Sequence, residues 1–222
     1  MSLSLRARLR SSAAPVLASC LFAAVAPVAL HTFSVDETEE PPARYLLTVD
    51  GTTTTVFAER NFEIAVGGAT YRGSIEPLPT RELTVDGYCF EYPVGMSFEH
   101  ESEDGVTIWT LEGSETTAMV FRFDERFTLD EMAEIQEDGL GELGETDTSP
   151  ASMKLGDHEV GGVRIRMEAG PFGLTSEVFP FEDAEDSHLW LILQDARESP
   201  DEPTDEFTAV QDVISESFRA VL

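Results

Sequence analysis

Apolar and polar positions alternate most clearly in residues 88–92. Because successive side chains of a strand point to opposite faces, this alternation places the three aromatic rings of the stretch on one face. Asp86-Gly87, directly before it, is a two-residue hairpin signal, since both central positions of a type I′ turn need positive φ. Pro93 cannot donate to a sheet ladder and ends or bends the strand. The pattern therefore predicts a hairpin at the start of a β-rich module.

The sequence pattern predicts further strands towards the C-terminus. The predicted strands are Met96–Glu101, Val106–Leu111, Thr117–Asp124, Val163–Glu168, Leu174–Phe181 and Leu189–Leu193. Met119, Phe121 and Phe123 share one face of the third of these. Leu189–Leu193 has no polar alternate, so it should be buried on both faces in the middle of the sheet. The pattern also predicts turns and a loop, at Gly156-Asp157, Gly161-Gly162 and Glu145–Pro150.

Two segments are predicted to be helices. The first follows Thr128–Glu131, a capping box in which the threonine hydroxyl accepts from the glutamate amide and the glutamate carboxylate reaches back. Its apolar stripe is formed by Leu129, Met132, Ile135, Leu140 and Leu143. The second helix begins near Pro203-Thr204, and its apolar residues recur at helical spacing. Its core-facing stripe is formed by Phe207, Val210, Ile214, Phe218 and Val221.

Residues 1–30 are predicted to be a signal or membrane anchor. Basic residues precede an uncharged run, Ala13–Leu30, that would span about 27 Å as a helix, close to the thickness of a bilayer core. Acidic residues follow the run, which places the rest of the chain on the extracytoplasmic side. Three outcomes stay open: a retained anchor, a cleaved export signal at Ala24-Val25-Ala26, or a lipoprotein with Cys20 as the lipid-attachment residue of the lipobox-like Leu17–Cys20.

Two segments separate this run from the main module, residues 81–222. Residues 31–43 are predicted to be an extended acidic tether. Residues 44–80 form a β-rich extension in which Asp50-Gly51 and Gly67-Gly68 each join two short strands in a hairpin. A segment this short cannot build a core of its own. We therefore expect it to add strands to the main sheet or to pack against it.

The charge of the chain excludes one class of partner. Lys and Arg total 14 against 43 Asp and Glu, which gives a formal net charge of −29. A surface of this sign repels phosphate backbones, so the chain is not expected to bind nucleic acid. Two interpretations stay open: a surface that attracts cations or a basic partner, and an acidic shell that serves only solubility.

Few residues are candidates for chemistry. His100 lies between two glutamates, and His188 follows the acidic run that begins at Phe181, so each is a candidate general base or metal ligand. The run from Phe181 to His188 lacks the oxygen-ligand spacing and the central glycine of an EF-hand loop, which disfavours specific calcium binding. Cys89 has no adjacent basic residue to lower its pKa, which disfavours a nucleophilic role. The chain contains no motif of a serine hydrolase, a phosphate-binding loop, a zinc protease or a redox dithiol. No cofactor or metal site is predicted.

The order of four motifs resembles the Mog1/PsbP-like superfamily, and within it the bacterial exported or lipid-anchored proteins of the DcrB kind. These motifs are Phe90-x-Tyr92-Pro93-x-Gly95, Thr128–Glu131, Gly161-Gly162 before a strand, and Ser217-Phe218-Arg219. The resemblance implies an α+β fold over residues 81–222, an antiparallel β-sheet flanked by two helices (an α/β sandwich). Residues 44–80 lie outside the family pattern and are predicted from their own turn signals to be an N-terminal β-hairpin extension.

The same resemblance implies a non-catalytic binding or assembly factor. Its partner would be a protein or peptide, and its contact with the membrane would be made through the N-terminal segment. Two alternatives stay open from the residues themselves. One is a hydrolase whose site is assembled from dispersed acids and histidines, and the other is a cation-binding acidic surface protein.

Overall fold

The structure, a computed structural model, describes residues 38–49, 51–57, 73–181, 186–197 and 202–221. The chain divides into two compact units, Met1–Ser34 and Val35–Leu222, and the described residues belong to the second. The strands and helices follow in this order: β1 (Arg44–Val49), β2 (Thr52–Phe57), β3 (Gly73–Pro77), β4 (Thr80–Val85), β5 (Tyr88–Pro93), β6 (Ser97–Glu103), β7 (Val106–Glu112), β8 (Thr116–Phe127), α1 (Leu129–Gly141), β9 (Glu145–Leu155), β10 (His158–Ala169), β11 (Phe172–Pro180), β12 (Ser187–Arg197), α2 (Asp205–Ser217) and β13 (Arg219–Ala220).

Seven strands form the main antiparallel sheet, in the order β6-β7-β8-β12-β11-β10-β9. The central strand β12 contains Leu189–Leu193, in which every side chain is fully buried. The structure therefore confirms that this uninterrupted apolar run lies in the middle of the sheet. Both faces of the sheet are covered there, which explains why the run has no polar alternate.

A second sheet, in the order β13-β5-β4, faces the main sheet. Its β4–β5 hairpin turns at Asp86 and Gly87, whose φ angles of 45° and 80° confirm the predicted type I′ turn. Phe90 and Tyr92 of β5 lie in the same buried core as Leu191 of β12. An apolar layer thus joins the two sheets face to face.

Helix α2 closes this core beside the second sheet. Phe207, Val210 and Ile214 are buried in it, as the helical spacing predicts. The prediction for Val221 is wrong, because the helix ends at Ser217 and the chain then pairs with β5 as strand β13. Val221 follows that strand and is 42% exposed.

Two carboxylates fix the N-terminal end of α2. The Glu206 carboxylate accepts the backbone N–H groups of Ser114–Thr116, in the β7–β8 turn, at 3.0, 2.5 and 2.9 Å. The fully buried Asp195 of β12 accepts both the N–H and the hydroxyl of Thr204, the N-cap residue, at 3.2 and 2.7 Å. The helix is therefore held at once to the central strand and to a turn of the same sheet.

Helix α1 lies on the opposite face of the main sheet, over β9, β10 and β11. Its N-terminus has the predicted capping box. The Thr128 hydroxyl accepts the Glu131 N–H at 3.3 Å, and the Glu131 carboxylate accepts the Thr128 N–H at 2.8 Å. Because both groups are satisfied locally, this helix end needs no partner from the sheet.

The apolar stripe of α1 is narrower than predicted. Met132 and Leu140 are buried, whereas Ile135 and Leu143 are 45% and 64% exposed. A helix that rests on one sheet buries only the stripe facing that sheet. Leu143 also lies beyond Gly141, the last residue of the helix.

The segment before β4 forms a separate sheet, in the order β2-β1-β3. The β1–β2 hairpin around Gly51, with φ of 78°, confirms the first of the two predicted hairpins. The second, around Gly67-Gly68, lies outside the described residues. Arg44 of β1 forms ion pairs with Glu82 and Glu91 at 3.2 and 2.7 Å, which join this small sheet to the β4–β5 hairpin.

The predicted α+β fold, an antiparallel sheet flanked by two helices, is wrong. Strands account for 62% of the described residues, and two sheets face each other across the core as in a β-sandwich. The sequence pattern predicts too few strand residues. Glu145–Pro150 is polar and contains a proline, yet it forms about half of the edge strand β9. Gly161-Gly162, predicted to be a turn, lies within β10. Edge strands tolerate proline and need no apolar run, so Glu145–Pro150 has no clear strand pattern. Gly161-Gly162 has no side chains to mark its place in the interior strand β10.

The predicted signal or anchor, residues 1–30 with the lipid-attachment candidate Cys20, lies outside the described residues, as does most of the tether. Within the described ranges, none of the helices combines the length and the apolar character that crossing a membrane requires.

Candidate binding surface

The two histidines singled out by the sequence lie in different settings. The His100 ring, half-buried on β6, lies 5.6 Å from the Trp109 ring. His188 Nε2 lies 3.5 Å from Asp86 Oδ2, and the Arg122 guanidinium lies 3.4 Å from Oδ1 of the same carboxylate. Asp86 is thus held between a histidine and an arginine, which ties the β4–β5 turn to β12 and β8.

Cys89 is buried in the β13-β5-β4 sheet. Burial, with a smaller contribution from the Glu82 carboxylate, raises the pKa of its thiol to about 11. A thiol with this pKa stays protonated at neutral pH. The side chain therefore behaves as a small apolar residue of the core.

The acidic residues do not converge on a metal site in the part of the chain that the structure describes. There, no three His, Cys, Asp or Glu side chains are grouped closely enough to hold a metal ion. The acidic run from Phe181 to His188 includes residues 182–185, which lie outside the described ranges. Cation binding by the acidic surface stays a prediction.

One face of the main sheet contains a strip of apolar side chains that remain partly exposed. In the β7–β8 ladder, Val106 lies opposite Phe123 and Ile108 lies opposite Phe121. Residues opposite each other in an antiparallel ladder point to the same face. We call this strip the open face. It consists of Val106, Ile108, Met119, Phe121 and Phe123, all of them half-buried.

The position of α1 explains why the strip is exposed. The helix packs on β9, β10 and β11, and its Met132 shares a fully buried cluster with Trp190 and Ile192 of the central strand. Among the described elements, α2 approaches β8 from the other face of the sheet, and no second helix packs extensively on the α1 face of β6, β7 or β8. The apolar side chains on this face are therefore fully buried on β12 and only half-buried on β8 and β7.

The edge strand β6 adds a row of carboxylates to the same face. Glu101 lies opposite Ile108, and Glu103 lies opposite Val106. We call Glu99, Glu101 and Glu103 the acidic border. All three are exposed and form no ion pair with any residue in the described ranges. The open face therefore has an apolar middle and one anionic rim.

A separate groove of about 790 Å³ lies between the β9–β10 turn and the C-terminal end of α2. Three aromatic rings form its apolar wall: Tyr88 lies 5.6 Å from both Phe181 and Phe218, whose rings are 5.1 Å apart. The charged side chains that line it, Asp157 and Glu216 among them, are exposed. Its lining residues therefore offer apolar surface without a buried acid–base pair.

The sequence alone predicts only part of the open face and its acidic border. The shared face of Met119, Phe121 and Phe123 is predicted correctly, but nothing in the pattern shows that this face is left half-covered. The acidic border was missed as a feature of the surface. Its signal is the glutamate at every second position from Glu99 to Glu103, which places all three carboxylates on one face of a strand.

No family model matches the chain, and no curated protein matches it. The resemblance to the Mog1/PsbP-like superfamily stays a prediction from the sequence motifs, and the function has to be inferred from the surface itself.

Proposed function

We propose that this protein is a non-catalytic binding module, held on the extracytoplasmic side of a membrane, whose open face binds a partner protein. The observation that supports this most directly is the half-buried apolar strip around Ile108 and Phe121, bordered by the carboxylates of β6. Contiguous exposed apolar surface rimmed by polar residues is typical of interaction sites.

The anatomy of the open face supports a protein partner in particular. Protein interfaces combine an apolar core, enriched in aromatic residues and methionine, with a polar rim. The open face has Phe121, Phe123 and Met119 in its middle and Glu101 at its rim. The strip is flat and open to one side, which suits a protein surface better than an enclosed small molecule.

Three acidic side chains support a binding role because their carboxylates are engaged by contacts within the fold. Asp86 is paired with His188 and Arg122. Glu206 accepts three backbone N–H groups, and the buried Asp195 accepts two hydrogen bonds from Thr204. These contacts fix turns and a helix end.

The extracytoplasmic location is supported by the charge pattern of the N-terminal segment. Three arginines before the uncharged run Ala13–Leu30, and four acids soon after it, follow the distribution that places the chain after such a run outside the cytoplasm. An exported or tethered protein would present its open face to partners in that compartment.

Site-specific crosslinking in cells that produce the full-length chain tests the proposal. A photoreactive amino acid replaces Ile108 in the open face or, as a matched control, the exposed Phe172 (48% exposed) at the start of β11. We expect a discrete protein adduct from position 108 that disappears when Phe121→Ser is added. A second control, Leu143→Ser, removes an exposed apolar side chain elsewhere and should leave the adduct unchanged.

Two results would count against the proposal. The first is a chain that is present at normal levels but gives no protein adduct from position 108. The second is the same adducts from positions 108 and 172, because this would show that capture does not depend on the open face.

A further inference from the structure

We infer that the segment of the partner that occupies the open face is a basic amphipathic helix. This inference rests on the proposed function and specifies the chemistry of the partner. Three observations support it. Helix α1 covers only part of this sheet face, the three carboxylates of the acidic border recur at regular spacing, and the apolar side chains lie one and two strands in from the edge strand β6.

The layer structure favours a helix because one half of the same sheet face already has one. Helix α1 covers β9, β10 and β11, and its Met132 completes the burial of Trp190. The strands β6, β7 and β8 together span about 10 Å, close to the diameter of one helix with its side chains. A second helix beside α1 would cover the open face and complete the layer.

The acidic border indicates that the helix is basic. Glu99, Glu101 and Glu103 are two residues apart along an extended strand, so their side chains recur about every 6.8 Å. Basic residues at i, i+4 and i+8 of a helix recur about every 6 Å along its axis. A helix lying along β6 can therefore bring one Lys or Arg to each carboxylate while its apolar stripe faces Phe121.

The acidic border is available for such contacts, since its three carboxylates form no ion pair with the described residues. The chain as a whole has a net charge of −29, which attracts basic segments and raises their rate of association at low ionic strength. The apolar strip then provides the selectivity that charge alone lacks.

An added strand is a less suitable occupant. The edge strand β6 has unpaired backbone groups, and edge strands can accept another strand. A strand added there would lie in the plane of the sheet, one position outside Glu101. It would leave Ile108 and Phe121, which are one and two strands further in, as exposed as before.

Peptide binding to the full-length chain tests the inference. The probe is a fluorescently labelled synthetic helix of about 14 residues, with leucine on one face and lysine at i, i+4 and i+8 beside it. The comparison peptides have glutamate in place of lysine, the same composition in a non-amphipathic order, or strictly alternating leucine and lysine. Fluorescence anisotropy gives the affinity of each.

The variants separate the acidic border from the overall charge. The border variant combines Glu99→Gln, Glu101→Gln and Glu103→Gln. Its control combines Glu145→Gln, Asp147→Asn and Glu168→Gln, three exposed acids at the opposite edge of the sheet, with the same change in net charge. We expect the border variant to bind the lysine helix about tenfold more weakly and the control to bind it within about twofold of the unmodified chain.

Three outcomes would overturn the inference: equal losses in the two triple variants, tighter binding of the alternating peptide, or no preference for the amphipathic order. The crosslinking experiment separates this from a failure of the proposed function. If the adduct from position 108 persists undiminished in the border variant, the open face binds a partner that is not a basic helix. If the adduct is absent from the unmodified chain, the proposed function itself fails.

Discussion

Phe121 lies directly across the β8–β12 ladder from Trp190, and the two side chains point to the same face of the sheet. Trp190 is fully buried, whereas Phe121 is only half-buried. Full burial under α1 thus extends to β12 but stops before its neighbour β8. We expect this difference in burial to change the free energy of unfolding that is lost when each side chain is truncated.

Truncation at the two positions should have different costs. We expect Trp190→Ala to lower the free energy of unfolding by about 3–5 kcal/mol, because it opens a cavity under α1. Phe121→Ala should cost about 1–2 kcal/mol, since part of the ring is already in contact with water. Urea denaturation measures both, and equal losses would show that the open face is covered by something else in solution.

Removal of the Glu206 carboxylate should destabilise the protein in a pH-dependent way. Partial burial of this carboxyl raises its pKa, but the N–H groups of Ser114–Thr116 lower it by more, so its pKa lies below the ordinary 4.5. A lowered folded-state pKa adds stability above the unfolded pKa, and that stability is lost as the pH falls through the folded value. The unmodified chain should therefore exceed Glu206→Gln in urea midpoint near neutrality, and the difference should shrink on acidification.

Glu216→Gln provides the matched control for this prediction, because Glu216 is an exposed residue of the same helix and does not contact the β7–β8 turn. Its urea midpoint should follow that of the unmodified chain at every pH. A Glu206→Gln variant with an unchanged pH profile would contradict the role assigned to the three amides.

The two helix caps should differ in strength. Thr128→Ala removes an exposed cap and should cost about 1 kcal/mol. Thr204→Ala should cost about 2–3 kcal/mol, because it also removes the hydroxyl that donates to the buried Asp195 carboxylate. Thermal unfolding measures both losses, and the serine variants, which keep the hydroxyl, should recover most of each. A larger loss at Thr128 would reverse the order expected here.

The adjacent glycines in β10 should differ in their response to the same substitution. A Cβ at Gly162 would collide with the Val178 carbonyl oxygen and the Phe179 ring, whereas a Cβ at Gly161 meets nothing within 4 Å. Gly162→Ala should therefore destabilise the protein by at least about 1–3 kcal/mol, and Gly161→Ala should be close to neutral. Differential scanning calorimetry of the two variants provides the comparison, and similar melting temperatures would contradict the strand position of this pair.

Cys89 should resist thiol reagents in the folded protein. With a pKa of about 11, its thiolate fraction at pH 8 is about a thousandth, and the residue is also buried. In a Cys20→Ser background, a disulfide-exchange reagent should label Cys89 only after unfolding in urea. Rapid labelling of the native protein would show that the β13-β5-β4 sheet opens readily.

The features that the sequence predicts correctly are those set by neighbouring residues. The Asp86-Gly87 turn follows from the φ angles that a two-residue hairpin needs, and the Thr128 cap follows from a hydroxyl three residues before its amide. The central position of Leu189–Leu193 follows from its lack of polar alternates. In each case the physical cause lies within a few residues of the chain.

The features that the sequence misses depend on distant partners. The polar segment Glu145–Pro150 becomes a strand because β10 pairs with it along its whole length, and no local pattern shows that pairing. The open face depends on how far α1 extends across the sheet, and the β-sandwich depends on the second sheet facing the first. These properties belong to the packing of elements against each other, so periodicity within one element cannot reveal them.

Gly162 has a consequence for how this sequence can drift over evolutionary time. No side chain fits there while Val178 and Phe179 keep their places, so lineages that retain the architecture should retain glycine whatever they bind. The glutamate at position 101 is free of that geometric demand and can change with the ligand. Glycine retained at position 162 would indicate a shared architecture, whereas a replacement at position 101 would indicate a change of partner.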